Sequence, residues 1–181
     1  MEIYQPEEDS YLLSEVLKKQ IPKLSKKNLN LKVLEIGCGS GIQLTTMLSL
    51  GVKNITACDI NPKAIKHCKS LGFKCINSNL FSKIKGRFDL IIFNPPYLPF
   101  HKFDNEKNTT GGKKGSEIIN NFLTQAHKHL KDKGKIFLLL SNLTKAVDFK
   151  GYNKKIISKK KLFFEELYIS ELKWLTKQED S

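Results

Sequence analysis

Apolar residues fall along this chain in two alternating rhythms. Short runs at Lys32 to Ile36, Asn54 to Cys58, Lys74 to Asn77, Phe88 to Phe93 and Lys135 to Leu140 have the length and residue types of strands, and Leu90 to Phe93 is apolar at every position, as in a strand buried on both faces. Between them, apolar residues return every three or four positions. Tyr11, Leu12, Leu13, Val16 and Leu17 predict a first helix, capped by Asp9 or Ser10 and closed by Pro22 and the polar Ser25 to Asn30 stretch. Ile42 to Leu50 reads as a helix ended by Gly51, and Lys63 to Leu71 as one with Asn61 as cap, Pro62 in the first turn and Gly72 as stop. Helical spacing resumes over Ser116 to Leu130, a short helical piece is expected over Leu143 to Phe149, and Lys155 to Leu162 and Glu166 to Leu172 predict two terminal strands. Phe100 to Gly115 should be a loop and Thr176 to Ser181 a frayed tail. Strands alternating with helices imply right-handed crossovers, hence an α/β fold with a mostly parallel sheet and helices on both faces. One domain is expected over 1–181, with a helical segment (1–30) ahead of a core (31–175).

In such sheets ligands bind beyond the carboxyl ends of the strands, and two of those ends are unusual. The fourth strand runs into Asn94-Pro95-Pro96-Tyr97. Neither proline can donate to a sheet ladder, and Pro96 holds Pro95 extended, so the strand must stop there. An amide side chain, a carbonyl and a flat ring then stand together, a mouth suited to a planar amide or amino group. The first strand feeds Gly37-Cys38-Gly39-Ser40-Gly41, a loop through which backbone can approach a cofactor without Cβ clashes. The sixth position of a dinucleotide-binding GxGxxG would be Ile42, which disfavours a nicotinamide cofactor. Asp59, about twenty residues further on, stands where a carboxylate accepts hydrogen bonds from ribose hydroxyls.

Composition changes this picture little. The net charge of +13, from 31 Lys and Arg against 18 Asp and Glu, would suit an acidic partner such as RNA or DNA, yet the excess is lysine dispersed along the whole chain. The amino terminus has no signal-peptide layout and no segment could span a bilayer, which predicts a cytoplasmic protein without membrane contact. Cys38, Cys58, Cys68 and Cys75 form no CxxC pair and read as small buried hydrophobes, so no metal site is expected. Among the histidines only His101, just beyond the proline pair, has a claim on the site.

The run Glu35-Ile36-Gly37-Cys38-Gly39-Ser40-Gly41 resembles motif I of the class I S-adenosylmethionine-dependent methyltransferases, and Asn94-Pro95-Pro96-Tyr97 resembles motif IV of those that methylate nitrogen on a planar group. Tyr4-Gln5-Pro6-Glu7-Glu8-Asp9-Ser10, the segment Gly111-Gly112-Lys113-Lys114-Gly115 and the ending Lys161 to Leu167 are similar to the archaeal and eukaryotic HemK-like branch, the release-factor glutamine N-methyltransferases. The resemblance implies a Rossmann-like, mostly parallel seven-stranded sheet with an antiparallel C-terminal strand. It implies S-adenosylmethionine as cofactor, held by Glu35, Gly37, Cys38, Gly39, Gly41, Asp59, Ile60, Asn79, Leu80 and Asn94. Asn94, Pro95, Pro96 and Tyr97 would bind substrate, with Asn94, Pro95 and Tyr97 acting in catalysis. A class I translation release factor is the implied substrate, through the glutamine of its Gly-Gly-Gln loop, and a small zinc-binding activator subunit the implied partner. An adenine-N6 methyltransferase acting on RNA or DNA is the alternative, and a cofactor-binding subunit without catalysis a third reading. Glu7 stands where the branch usually has Ala, and Asn79 where an Asp commonly meets the adenine amino group.

Overall fold

The computed structural model describes residues 2–98 and 115–175. Of the loop expected over Phe100 to Gly115, residues 100–114, with His101, Lys113 and Lys114, lie outside the described residues, as does the tail at 176–181. Seven strands, β1 (Lys32–Ile36), β2 (Asn54–Asp59), β3 (Cys75–Asn77), β4 (Phe88–Phe93), β5 (Leu130–Ser141), β6 (Tyr152–Lys161) and β7 (Glu166–Trp174), form one sheet in the order β3-β2-β1-β4-β5-β7-β6. The first five are mutually parallel, and β7 runs antiparallel to both β5 and β6. After β1 the chain winds outward through β2 and β3, then returns to place β4 on the other side of β1. The reversal opens a crevice between the carboxyl ends of β1 and β4, and the two unusual strand ends are the ones that flank it.

The strands bury alternate residues on opposite faces. Val33, Leu90, Ile92, Phe137 and Leu139 pack under α1 (Glu8–Ser25), α2 (Ile42–Ser49) and α3 (Pro62–Ser70), while Leu34, Ile36, Phe88, Ile91 and Ile136 pack under α4 (Glu117–Ala126). Phe122 of α4 is fully buried against the second face. Phe122→Ala is expected to destabilise the fold by about 3–5 kcal/mol, read by urea unfolding.

Four expectations need correction. The first helix begins after Glu7, so neither Asp9 nor Ser10 is its cap, and it continues through Pro22 to Ser25. Pro22 removes a hydrogen bond from the final turn only, while Ile21 on the same turn is fully buried and holds it in place. Strand β5 starts at Leu130, not Lys135: Leu130 pairs with Phe88, and the polar Lys131-Asp132-Lys133-Gly134 segment is absorbed as a bulge before Lys135 pairs with Leu90. Leu143 to Phe149 is not helical. Asn120 of α4 donates to the Ala146 carbonyl (3.0 Å) and accepts from the Asp148 N–H (2.9 Å), taking backbone groups that a helix would use. The fourth helix ends at Ala126, followed by a 3₁₀ turn over His127–His129.

Candidate active site

A cavity of about 460 Å³ occupies the crevice. Its wall includes Glu35, Gly37, Cys38, Gly39, Asp59, Ile60, Asn79, Leu80, Asn94, Pro95, Pro96 and Tyr97, so all but one of the residues expected to hold cofactor or substrate line a single space. The exception is Gly41. It adopts φ +79, donates its N–H to the Cys38 carbonyl (2.7 Å), and a Cβ there would meet Cys68 Sγ at 3.2 Å and Leu71 Cδ1 at 3.4 Å. Its part is to close the turn behind the wall. Gly41→Ala is therefore expected to cost about 1–3 kcal/mol of stability in urea unfolding, with donor binding affected only through the turn.

The loop half of the cavity is built on backbone bonds. Gly37 and Cys38 donate to the Cys58 carbonyl (2.8 and 3.1 Å), and Gly39 donates to Asp59 Oδ2 (3.0 Å). Asp59 Oδ1 accepts the Asn61 N–H (2.8 Å), so this carboxylate fixes the loop and the start of α3 while each oxygen keeps a second lone pair. Gly39 has φ +47, and nothing lies within 4 Å of where its Cβ would stand. Glu35 is buried behind the loop. Burial above all, with Cys75 and Asp59 adding to it, pushes its carboxyl well above the usual carboxylate range, and Oε2 has no partner among the described residues. Leu80 takes φ 47, costly for a branched side chain, and is held there because its carbonyl accepts from Ser78 Oγ (3.0 Å) and Cys58 Sγ (3.4 Å). Ile60 keeps 57% of its surface exposed at the cavity, an apolar platform without protein cover.

The other half centres on Asn94. Its Nδ2 donates to Asp9 Oδ2 (3.0 Å), which also accepts from the Tyr4 hydroxyl (3.2 Å), and Asp9 itself is only 4% exposed. With the amide nitrogen engaged, Asn94 Oδ1 is buried and has no partner among the described residues. An orphaned buried acceptor costs on the order of 1–3 kcal/mol, so an oxygen held in this way marks a place where a donor is meant to arrive. Tyr97 is anchored through its carbonyl, which accepts from Thr144 Oγ1 (3.0 Å). Burial, and after it the carboxylates of Asp9, Glu165 and Glu7, push the Tyr97 hydroxyl pKa up, so the ring stands neutral in an acidic mouth.

Tyr4, Asp9, Ser10, Gln43 and Ser78 also line the cavity and were not named from sequence as site residues. Gln43 joins the halves: it donates to the Ser10 carbonyl (2.8 Å) and accepts from Ser14 Oγ (2.9 Å), bracing α1 against the helix that follows the glycine loop. One signal could have revealed Asp9. It stands four residues before the fully buried Leu13, on the apolar stripe of the helix, where an acidic side chain needs a reason. All four cysteines are buried, as their sequence reading expects, and Cys38, Cys68 and Cys75 bring their sulfurs together.

Residues 8–150 match the methyltransferase small domain. The chain belongs to this methyltransferase family. Among curated relatives, a Methanocaldococcus jannaschii protein provisionally named protein N5-glutamine methyltransferase MJ0928 is 36% identical over 93% of this chain and 90% of its own length. Mouse methyltransferase HEMK2 is 28% identical over 76% of this chain and 71% of its own length. Among solved structures, the Encephalitozoon cuniculi Mtq2-Trm112 complex, described as responsible for methylation of the eRF1 translation termination factor, matches with a TM-score of 0.73 at 23% identity, covering 97% of this chain and all of that one. At that identity the likeness concerns the fold. The sheet and its antiparallel C-terminal strand are those of the class I methyltransferases. Among the described residues no helix is long and apolar enough to cross a membrane.

The cavity of this methyltransferase suits a nucleoside sulfonium donor. Its volume lies within the range of small-molecule sites, Gly39 leaves a space no side chain fills, and Asp59 offers free lone pairs beside the apolar Ile60.

Proposed function

We propose that the protein transfers a methyl group from S-adenosylmethionine to the side-chain amide nitrogen of the glutamine in the Gly-Gly-Gln loop of a class I translation release factor. The observation that carries this reading is Asn94 Oδ1, buried and without a partner among the described residues, on a side chain that Asp9 holds in the wall of a donor-sized cavity. The Methanocaldococcus jannaschii relative, matched over 90% of its length and named for N5-glutamine methylation, supports the same substrate class.

Gly37, Gly39, Asp59, Ile60 and Leu80 would hold the donor, Gly41 would shape the loop, and Glu35, Cys38 and Asn79 complete the wall. When bound, the donor supplies an electrophilic methyl on a sulfonium. The chain's task is to present a poor nucleophile, because an amide lone pair is delocalised. Asn94 Oδ1 and the Pro95 carbonyl accept the two amide hydrogens, which fixes the nitrogen and favours a localised lone pair as the carbon–nitrogen bond forms. Pro96 keeps the Pro95 carbonyl turned to the mouth, and Tyr97 stacks on the flat group. No base is needed before attack, since the proton leaves the nitrogen after the methyl has arrived.

A nucleic-acid amine is equally flat, and the lysine surplus would favour it. The mouth does not: Glu7, Asp9 and Glu165 surround Tyr97, and phosphates would meet like charge there. A small activator subunit, of the zinc-binding kind implied by the family resemblance, is the expected partner. The test is label transfer from S-adenosylmethionine, with and without such a subunit, to a release factor, to the same factor with its loop glutamine changed to alanine, and to RNA. Label only in the unaltered factor is expected, and label in RNA with both proteins unlabelled would overturn the reading.

A further inference from the structure

Cys38 follows β1 in the glycine loop, Cys68 lies near the end of α3 and Cys75 begins β3, so three separate elements each deliver one thiol to the same place. Their sulfurs all lie within 4.8 Å of one another, and the three residues are buried, at 3%, 0% and 5% exposure. Sulfurs around one ion, each about 2.3 Å from it, would stand roughly 4 Å apart, so the trio is close to the spacing of a bound ion without backbone movement. The cluster touches the cofactor loop twice: Cys68 Sγ donates to the Gly39 carbonyl (3.6 Å), and Cys38 forms part of the cavity wall. Of the three, Cys38 is the one that lines the cavity. Cys58, the remaining cysteine, is turned away to the Leu80 carbonyl.

We propose that Cys38, Cys68 and Cys75 form a three-thiolate site for a soft divalent ion of the zinc class, seated beneath the glycine loop and entered through the donor cavity. Thiolate sulfur selects such ions over the hard cations that prefer oxygen. On binding, three metal–sulfur bonds replace three S–H bonds, the protons leave to solvent, and no electron is transferred. The resulting unit carries one net negative charge. A bound ion would tie the loop to α3 and β3, and the site is independent of which nitrogen the enzyme methylates.

Cadmium is the probe. Titrating Cd²⁺ into the reduced, full-length protein should produce a thiolate-to-metal charge-transfer band that saturates at one ion per chain. Cys68→Ser and Cys75→Ser, each shown to be folded by circular dichroism, should lower the affinity by roughly 100-fold or more, while Cys58→Ser keeps it. Saturating S-adenosylhomocysteine should slow the appearance of the band, because it covers Cys38. Cadmium NMR of the unmodified protein provides a reading that needs no variant, with a shift characteristic of three sulfur ligands expected. Absence of the band, equal affinity in Cys75→Ser, a rate unchanged by the ligand, or a shift of an oxygen and nitrogen site would overturn the proposal.

Discussion

Asn94→Ala is expected to lower single-turnover methyl transfer by about a thousandfold while S-adenosylhomocysteine still binds within roughly twofold of the unmodified protein. The asymmetry follows from where the two ends of the Asn94 amide go. Nδ2 is engaged by Asp9, and Oδ1 is buried with no partner among the described residues, so alanine loses the oxygen that is spare for the incoming amide together with the bond to Asp9, and neither serves the donor. Alanine removes one of two acceptors that would hold the nitrogen in line, and misplacement of a weak nucleophile is costly because most of its reactivity comes from orientation. Asn94→Asp keeps an oxygen but sets two carboxylates face to face with Asp9, and should be nearly as damaged. Rapid-quench assays with labelled donor measure the rate, and calorimetry with S-adenosylhomocysteine measures the affinity. A donor affinity reduced a hundredfold in Asn94→Ala would show that this side chain serves the cofactor instead.

The second large effect is expected at Asp9, which touches neither reactant and acts through Asn94. Removing its carboxylate frees the Asn94 amide to turn and leaves the Tyr4 hydroxyl without its acceptor. Asp9→Ala should reduce kcat by about 30- to 100-fold with little change in the KM for the donor. Asp9→Asn restores an oxygen that accepts from Asn94 Nδ2 and should recover most of the rate. A merely structural role would instead lower the unfolding midpoint, leave the residual activity of folded protein unchanged, and show no difference between alanine and asparagine.

The parts of the molecule written in local pattern were legible in the sequence. β4 runs over Phe88–Phe93 as its unbroken apolar stretch predicts, because a strand covered on both faces needs no alternation. Asn61 caps α3 through the Lys63 N–H (3.0 Å), as its place before Pro62 indicates. What local pattern could not show was set by partners distant along the chain. The polar start of β5 looks like a turn, yet Phe88 supplies its partner across a bulge. Leu143 to Phe149 has helical spacing, but Asn120 takes its backbone groups. Asp9 looked like a helix cap until the fold brought it to Asn94, 85 positions away. The cysteines gave no spacing signal because their meeting depends on two successive crossovers of the sheet. Gly41 stands apart from the cavity lined by the rest of its motif because Cys68 and Leu71 pack behind it, contacts that its place in the glycine run could not show.

The most direct test of the central claim is to locate the methyl group. After incubation of the protein with S-adenosylmethionine and a release factor, tandem mass spectrometry of the digested factor should find one methyl on the side-chain amide of the loop glutamine, and none when Asn94→Ala replaces the unmodified protein. A release factor left unmethylated while an adenine amine in RNA from the same mixture acquires the group would contradict it.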